Sequence, residues 1–442
     1  MSETHSRFAT IAIVDTNGLL RGQKTRGADI SGLLEQGPGM SPVQLALDPT
    51  DDILDMPGVT DDTADFHDAT LAVDAASLRH IPFERDEDSP LYLAEFTGEA
   101  AAFCPRALLR KVLGRVRDAG LRPKVGVELE FTLFDETPAS LVAKGYDGLT
   151  TATAHPSHDL IIYQAAQSRF YAAVADMCGP LNIGLGKMHE EIGGGFMECC
   201  ISATGALEAA DQSALLKNFL RVLAMGQDKT VCFMPRWSEE ADSQSMHIHV
   251  SLADAEGEPV FWNAQAPDRM SDSFRQFIGG MQTYLPALML IFAPTVNAWR
   301  RFAPGTFAPP AFSWGVENRT TAFRVVGHGA RSLRVENRLP CSDANPHLVI
   351  AATLAAGLAG IEEGLEPSAP TRGNGYVPGV AQGPALPDGM NAAIEALRGS
   401  SLAADWLSPR FVETFSATRA DQARKFEGKT LIDERRRFFE LG

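Results

Sequence analysis

At 442 residues the chain exceeds the size of one usual core, so one small and one large domain are expected; 45% hydrophobic and 21% charged residues are ordinary for a globular protein. A formal net charge of −17 argues against nucleic acid or an anionic membrane as a partner, because both select basic surfaces. Six cysteines without a C-x-x-C pair read as reduced thiols of a cytoplasmic protein, not as a disulfide framework.

The opening MSETHSRFATIAIVDTNG has no basic segment followed by an apolar run, so no secretory leader is expected. Ala9 to Val14, an Asp15-Thr16-Asn17-Gly18 turn and a return strand towards Thr25 predict a hairpin, Asn-Gly being its strongest short signal. Gly37 to Asp74 is rich in Asp, Pro and Gly and reads as loop, except for a short strand over Asp68–Asp74. A β-rich N-terminal module over residues 1–97 and a second domain over 98–442 follow. Pro105 opens a helix with Leu108, Leu109, Val112, Leu113 and Val116 at helical spacing, and Gly120 stands where a helix ends.

Lys124–Phe134 then predicts a strand that aims Glu128 and Glu130 to one side, because side chains at i and i+2 share a face. Met188–Glu198 carries carboxylates on both sides of a glycine turn. A helix is expected over Leu207–Met225. In the strand that follows, His247 and His249 repeat the i, i+2 pattern. Phe274–Phe292 reads as a core helix, and Gln282, Thr283 and Pro286 argue against a membrane span. The pattern recurs in Glu336-Asn337-Arg338. Asn345-Pro346 starts a helix through about Glu363, and Gly364 ends it.

A single Glu-x-Glu is most simply two solvated residues, and paired histidines can be satisfied core residues. Three such strands, with Arg300, Arg301, Arg319, Arg324, Arg334 and Arg338 nearby, instead predict a polar cavity lined by a sheet. Oxygen ligands with one or two imidazoles suit Mg²⁺ or Mn²⁺ better than zinc. No glycine-rich phosphate loop of either common pattern is present, so a bound nucleotide would be neutralised by metals and arginines.

The ordered motifs G-V-E-L-E-F, H-x-E with a glycine turn and Glu, M-H-I-H-V-S-L, P-T-V-N-A-W-R-R, P-G-T-F-A-P, E-N-R-T-T-A-F-R and R-V-E-N-R with D-A-N-P resemble the glutamine synthetase family over nearly the whole chain. The resemblance implies an α+β protein: a small N-terminal β-grasp domain and a large catalytic domain with an open antiparallel sheet. It implies ATP-dependent phosphorylation of the γ-carboxylate of glutamate, two or more Mg²⁺ or Mn²⁺ ions, and a homo-oligomer, a dodecamer of two stacked hexameric rings. By the same resemblance Glu130, Glu191 and Glu198 hold one metal, and Glu128, His247 and Glu336 the other. His249, Ser251 and Arg334 contact ATP, while Arg319 and Arg324 act on the transferred phosphoryl group. Arg301 and Arg338 grip glutamate. Asp48 and Asp68 are the interface aspartates that complete a neighbour's site.

The chain departs from the family pattern where the nitrogen donor binds. Phe307 replaces the flap glutamate of ammonia-using enzymes, which removes a cation site and adds apolar surface. Phe196 replaces a glutamine near the metals, and Asp242-Ser243-Gln244-Ser245 replaces N-G-S-G, leaving Ser243 beside the acid substrate. These departures resemble the γ-glutamyl amide ligases for polyamines, alkylamines or anilines. A primary amine is therefore the expected acceptor. Glutamine synthesis from ammonia and a non-catalytic sensor or scaffold are the alternatives.

Overall fold

The computed structural model of the chain describes residues 7–84, 89–156 and 158–442, so the first six residues of the stretch searched for a leader lie outside it. The expected hairpin forms: β1 (Phe8–Val14) and β2 (Leu20–Arg26) pair antiparallel from Phe8↔Arg26 to Val14↔Leu20. Gly18 takes φ +80°, and the Asp15 carboxylate accepts from the N–H groups of Asn17 and Leu19, which closes the turn. Helix α1 (Ile30–Gln36) and strands β3 (Gly39–Met40), β4 (Ala69–Val73), β5 (Arg79–His80) and β6 (Pro90–Phe96) follow. The sheet runs β2-β1-β6-β4-β3, with β5 also on β6, and β1 and β6 are parallel at its centre. Ile11, Ile13, Leu71 and Phe96 alternate into its core, where Leu45, Met56 and Phe103 join them.

Helix α2 (Pro105–Asp118) starts at its proline and buries Leu108, Leu109, Val112 and Val116, as its periodicity requires. Strand β7 (Arg122–Phe134) leads away from it. Then come α3 (Pro138–Ala143), α4 (Ile161–Ala166), α5 (Ser168–Cys178), β8 (Leu185–Glu190), β9 (Phe196–Gly205), α6 (Ala206–Met225), β10 (Thr230–Cys232) and β11 (Met246–Ala253). Helix α7 (Asp272–Phe292) precedes β12 (Trp314–Val316), β13 (Phe323–Val326) and β14 (Arg334–Asn337). Helices α8 (Pro346–Glu363), α9 (Gly389–Arg398), α10 (Pro409–Lys425) and α11 (Leu431–Phe438) close the chain. The second sheet is ordered β12-β13-β14-β11-β7-β9-β8, with β10 also on β7; its pairs are antiparallel except β12 with β13.

One face of this sheet is covered. Val125, Val127, Leu129, Phe131 and Leu133 of β7 enter one apolar core with the buried faces of α2, α6, α7 and α8. Helix α8 begins with the Asn345 side chain accepting from the N–H groups of His347 and Leu348, and ends at Gly364, φ +66°. It is buried nearly all round, which fits an apolar helix with no polar face. Helices α7 and α8 cross at glycines: a Cβ on Gly280 would lie 2.2 Å from Ala356 O and 2.6 Å from Gly360 Cα. Among the described residues, no helix is long and apolar enough to cross a membrane.

Arg106 ties the two sheets' surroundings together. Its guanidinium donates to Asp211 of α6 (3.0 and 2.9 Å), to Glu95 of β6 (2.9 Å) and to Asp74 (2.7 Å), while His347 meets Asp211 from α8 at 2.8 Å. The arginine is 1% exposed, so removing it strands buried carboxylates. Arg106→Leu is expected to cost about 3–5 kcal/mol in urea unfolding. A loss under about 1 kcal/mol would mean that these pairs behave as surface contacts.

Glu136, just beyond β7, offers a pH test away from the polar face. Burial opposes its charge, but Lys144, the Ser140 hydroxyl and the Thr150 N–H hold its carboxyl down at about 2, against an ordinary 4.5. A depressed folded-state value gives stability that is complete above the ordinary value and lost as pH falls through the folded one. Wild type is therefore expected to lose stability relative to Glu136→Gln between pH 4.5 and about 2, read as the difference between their urea unfolding energies. A constant difference across that window would refute the assignment.

Candidate active site

The face of the large sheet opposite the core carries every i, i+2 pair. Register decides which of them meet. Glu128 of β7 lies opposite His247 of β11 and Cys200 of β9, Glu130 lies opposite Glu198, and His249 lies opposite Glu336, which itself faces Arg324. Side chains in register across neighbouring strands share a face, so these groups converge.

The expected set Glu128, His247 and Glu336 is assembled: one ligand atom from each lies within 4.8 Å of the others. His247 Nδ1 is 3.1 Å from Glu128 and 3.4 Å from Glu336, while its Nε2 meets Ser245 Oγ at 2.8 Å. Glu130 and Glu198 also come together, with His247 as the third group within that distance. Glu191 stands to the side of them, its carboxylate 3.1 Å from His189 and 3.4 Å from His158. Arg334 Nε donates to His249 Nδ1 at 3.1 Å, so His249 Nε2 donates to the Glu128 carboxylate at 2.9 Å, and Ser251 continues the same face of β11.

So many carboxylates on one wall repel. Burial first, then the charges of Glu128 and Glu130, push the Glu198 carboxyl well above the usual range. Burial also acts against Glu128 and Glu336, but hydrogen bonds from His247 and His249 lower the first, and the Arg338 charge lowers the second. An oxygen-rich set with one shared imidazole and unneutralised charge fits hard divalent cations.

The arginines surround this wall. Arg338 donates to Glu336 at 2.6 Å and Arg324 at 3.1 Å, with Arg324 also on Glu317 at 2.6 Å. Arg301, 2% exposed, holds the carbonyls of Leu339 (2.7 Å) and Arg338 (2.9 Å) and so fixes the backbone that carries Arg338. The Nε donors of Arg301, Arg324 and Arg338 are buried without a partner, as is the hydroxyl of Tyr376. Buried donors left open in this way suit an anionic ligand. Arg319 is exposed, and its side chain makes no hydrogen bond or ion pair among the described residues.

The flap departs from regular backbone. Phe307 sits at φ +56° with 61% of its surface exposed, an unusual conformation for a bulky residue and a costly place for an apolar ring. Its ring meets Tyr376 edge-on, centroids 6.1 Å apart at 85°. Ser243 Oγ donates to Thr306 O at 2.7 Å, so the serine expected beside the acid substrate anchors the flap. Phe196 is buried on the same strand face as Glu198.

Asp48 and Asp68, the aspartates expected at a subunit interface, are not on this wall. Asp48 faces inward, 1% exposed, and its carboxylate accepts from the N–H groups of Thr50 and Asp52 and pairs with Arg437. Asp68 is exposed just before β4. From sequence, Ser245 stands only as the end of the altered Asp242–Ser245 stretch, and Tyr376 carries no site role. Ser245 lies two residues before His247, so the same alternation finds it. Tyr376 lies in an irregular segment with no periodic signal.

Residues 102–438 match the family model described as glutamine synthetase, catalytic domain. The chain is 32% identical over 435 residues to γ-glutamylethanolamide synthetase GlnA4 of Streptomyces coelicolor, which covers 97% of this chain and 92% of that protein. It is 31% identical over 444 residues to type-1 glutamine synthetase 2 of Dictyostelium discoideum, covering 99% of this chain and 84% of that one. A crystal structure described as a novel glutamine synthase homolog matches over 100% of both chains, with a TM-score of 0.82 at 25% identity.

Proposed function

The chain belongs to the glutamine synthetase family and is an ATP-dependent ligase of that type, and from this premise we propose that it joins glutamate to a primary amine. The terminal phosphoryl group of ATP passes to the γ-carboxylate of glutamate and ADP leaves. The amine nitrogen then attacks the acyl phosphate, phosphate departs, the nitrogen loses a proton, and a γ-glutamyl amide remains.

Glu130, Glu191 and Glu198 would hold one ion, and Glu128, His247 and Glu336 the other, Mg²⁺ or Mn²⁺ by donor type. Such ions, when bound, neutralise the charge of phosphate oxygens. His249, Ser251 and Arg334 line the part of the face assigned to ATP. Arg324, with the unpaired Arg319, supplies positive charge to the phosphoryl group in transfer. Arg338, positioned by Arg301, pairs with a substrate carboxylate, for which a guanidinium fork is suited. Of the two aspartates, exposed Asp68 is the one offered to a neighbouring copy in a ring oligomer. Six unpaired cysteines accord with a reducing, cytoplasmic setting.

One observation carries the amine reading: the flap presents the ring of Phe307, packed edge-on against Tyr376, where the ammonia-using pattern has a carboxylate. The S. coelicolor relative, named for an ethanolamide product, supports the same choice. The test is phosphate release from ATP with Mg²⁺ and glutamate, offered ammonium or a panel of alkylamines, polyamines, ethanolamine and anilines, with the product weighed by mass spectrometry. Release and a γ-glutamyl amide are expected with an amine. Product with ammonium alone would establish glutamine synthesis instead, and no release with any acceptor would favour a scaffold.

A further inference from the structure

One cluster on the sheet's polar face shares Glu198 with a proposed hard-ion set and adds two residues, His189 and Cys200, that belong to neither set. His189 of β8 lies directly opposite Glu198 of β9, and Cys200 follows Glu198 by two residues, so all three side chains share a face. His189 Nε2 is 3.7 Å from Glu198 Oε1, Cys200 Sγ is 3.2 Å from the same oxygen, and one ligand atom from each residue lies within 4.8 Å of the others. In a tetrahedral zinc site, bonds of about 2.0 Å to nitrogen or oxygen and about 2.3 Å to sulfur set neighbouring ligand atoms about 3.3–3.8 Å apart. Two of the three separations are therefore close to those values before any ion arrives, and the third is within 4.8 Å.

Their chemistry differs from that of the rest of the wall. A thiolate, an imidazole and a carboxylate form a mixed set that selects borderline ions over Mg²⁺. His189 is 7% exposed, and its Nδ1 is buried with no partner, so nothing on the far side of the ring fixes the tautomer. Without an ion Nε2 faces the carboxylates of Glu191 and Glu198 as a donor, so an ion bound there takes the place of its proton, which moves to the open Nδ1. Glu191 is 3.1 Å from Nε2 but stands outside this three-residue set, so water would complete the coordination.

We propose that His189, Glu198 and Cys200 form a site for a borderline divalent cation such as Zn²⁺, and that filling it withdraws Glu198 from the hard-ion cluster. As the metal–sulfur bond forms, the thiol proton leaves to solvent. The ion then acts as an inhibitor built into the sheet: it competes for a shared carboxylate without blocking the arginines.

Cobalt is the probe, because a thiolate-to-cobalt charge-transfer band in the near ultraviolet reports sulfur ligation without any turnover. The full-length protein is titrated with Co²⁺ in excess Mg²⁺. The wild-type protein is expected to develop the band to one equivalent per chain, Zn²⁺ to erase it, and Cys200→Ser to lose it. Cys199→Ser, whose side chain lies on the buried face, keeps it. Zinc inhibition of magnesium-supported turnover weakens about tenfold or more in Cys200→Ser, with turnover without zinc unchanged. If Cys200→Ser does not fold, His189→Asn leaves the thiol in place and carries the same test, with zinc affinity falling about tenfold or more. No band in wild type, a band that survives Cys200→Ser, or unchanged zinc affinity in His189→Asn overturns the site. None of the binding outcomes depends on which acceptor the enzyme uses.

Discussion

Glu130→Ala is expected to lower turnover roughly a thousandfold at saturating ATP, glutamate and Mg²⁺, the scale of losing a preorganised electrostatic group. Glu130 and Glu198 are cross-strand partners, and a ligand atom of each lies within 4.8 Å of one from His247. Of the carboxylates proposed for an ion at that end of the wall, the alanine would leave only Glu198 and the more distant Glu191, so the ion would lose one of its two best-placed ligands. The alanine also strands the Ser245 N–H, which donates to Glu130, so Glu130→Gln is the cleaner comparison. Glutamine keeps an acceptor for Ser245 and loses only the charge. Its turnover should fall nearly as far, while its stability without added metal should rise, because Glu198 no longer faces a like charge. Steady-state rates and urea unfolding in chelator measure both. Near-normal turnover in Glu130→Gln would remove Glu130 from the ion site.

Phe307→Glu is expected to shift the ratio of amine to ammonium turnover towards ammonium by on the order of a hundredfold. The flap residue is largely exposed, so the change does not disturb the core, and the backbone at φ +56° is no worse for glutamate than for phenylalanine. What changes is the wall: an apolar ring that favours an alkyl or aryl group becomes a carboxylate that favours a small cation. The edge-on contact with Tyr376 is lost as well, so amine KM should rise more than kcat falls. Competition between ammonium and the best amine, scored by product mass, gives the ratio directly. An unchanged ratio would place acceptor selection elsewhere.

Local order was legible where a short-range rule applies. The Asn17-Gly18 hairpin, the proline start and glycine stop of α2, and the Asn345 cap of α8 each rest on contacts within a few residues. Helices α3, α4, α5, α9, α10 and α11 entered only with the structure, although Thr137-Pro138 before α3 and Ser408-Pro409 before α10 are the same kind of cap-and-proline start as Asn345-Pro346. Their helical patterns are short or polar, and packing against distant parts of the chain decides them.

The site divides along the same line. Alternation along a strand determines from sequence alone that Glu128 with Glu130, and His247 with His249, point the same way, because the pleat has a period of two residues. It cannot say which strand lies beside which. That Glu130 meets Glu198, that Glu128 meets His247, and that His189 stands with Cys200 follow from register between segments far apart in sequence. Asp48 shows both sides: its carboxylate accepts from the nearby Thr50 and Asp52 N–H groups, while its partner Arg437 lies 389 residues away. Sequence determined the kinds of group and the faces they occupy, since those are properties of a single strand. Tertiary structure decided which charges share a site, because that depends on hydrogen-bond ladders and a core that no local segment contains.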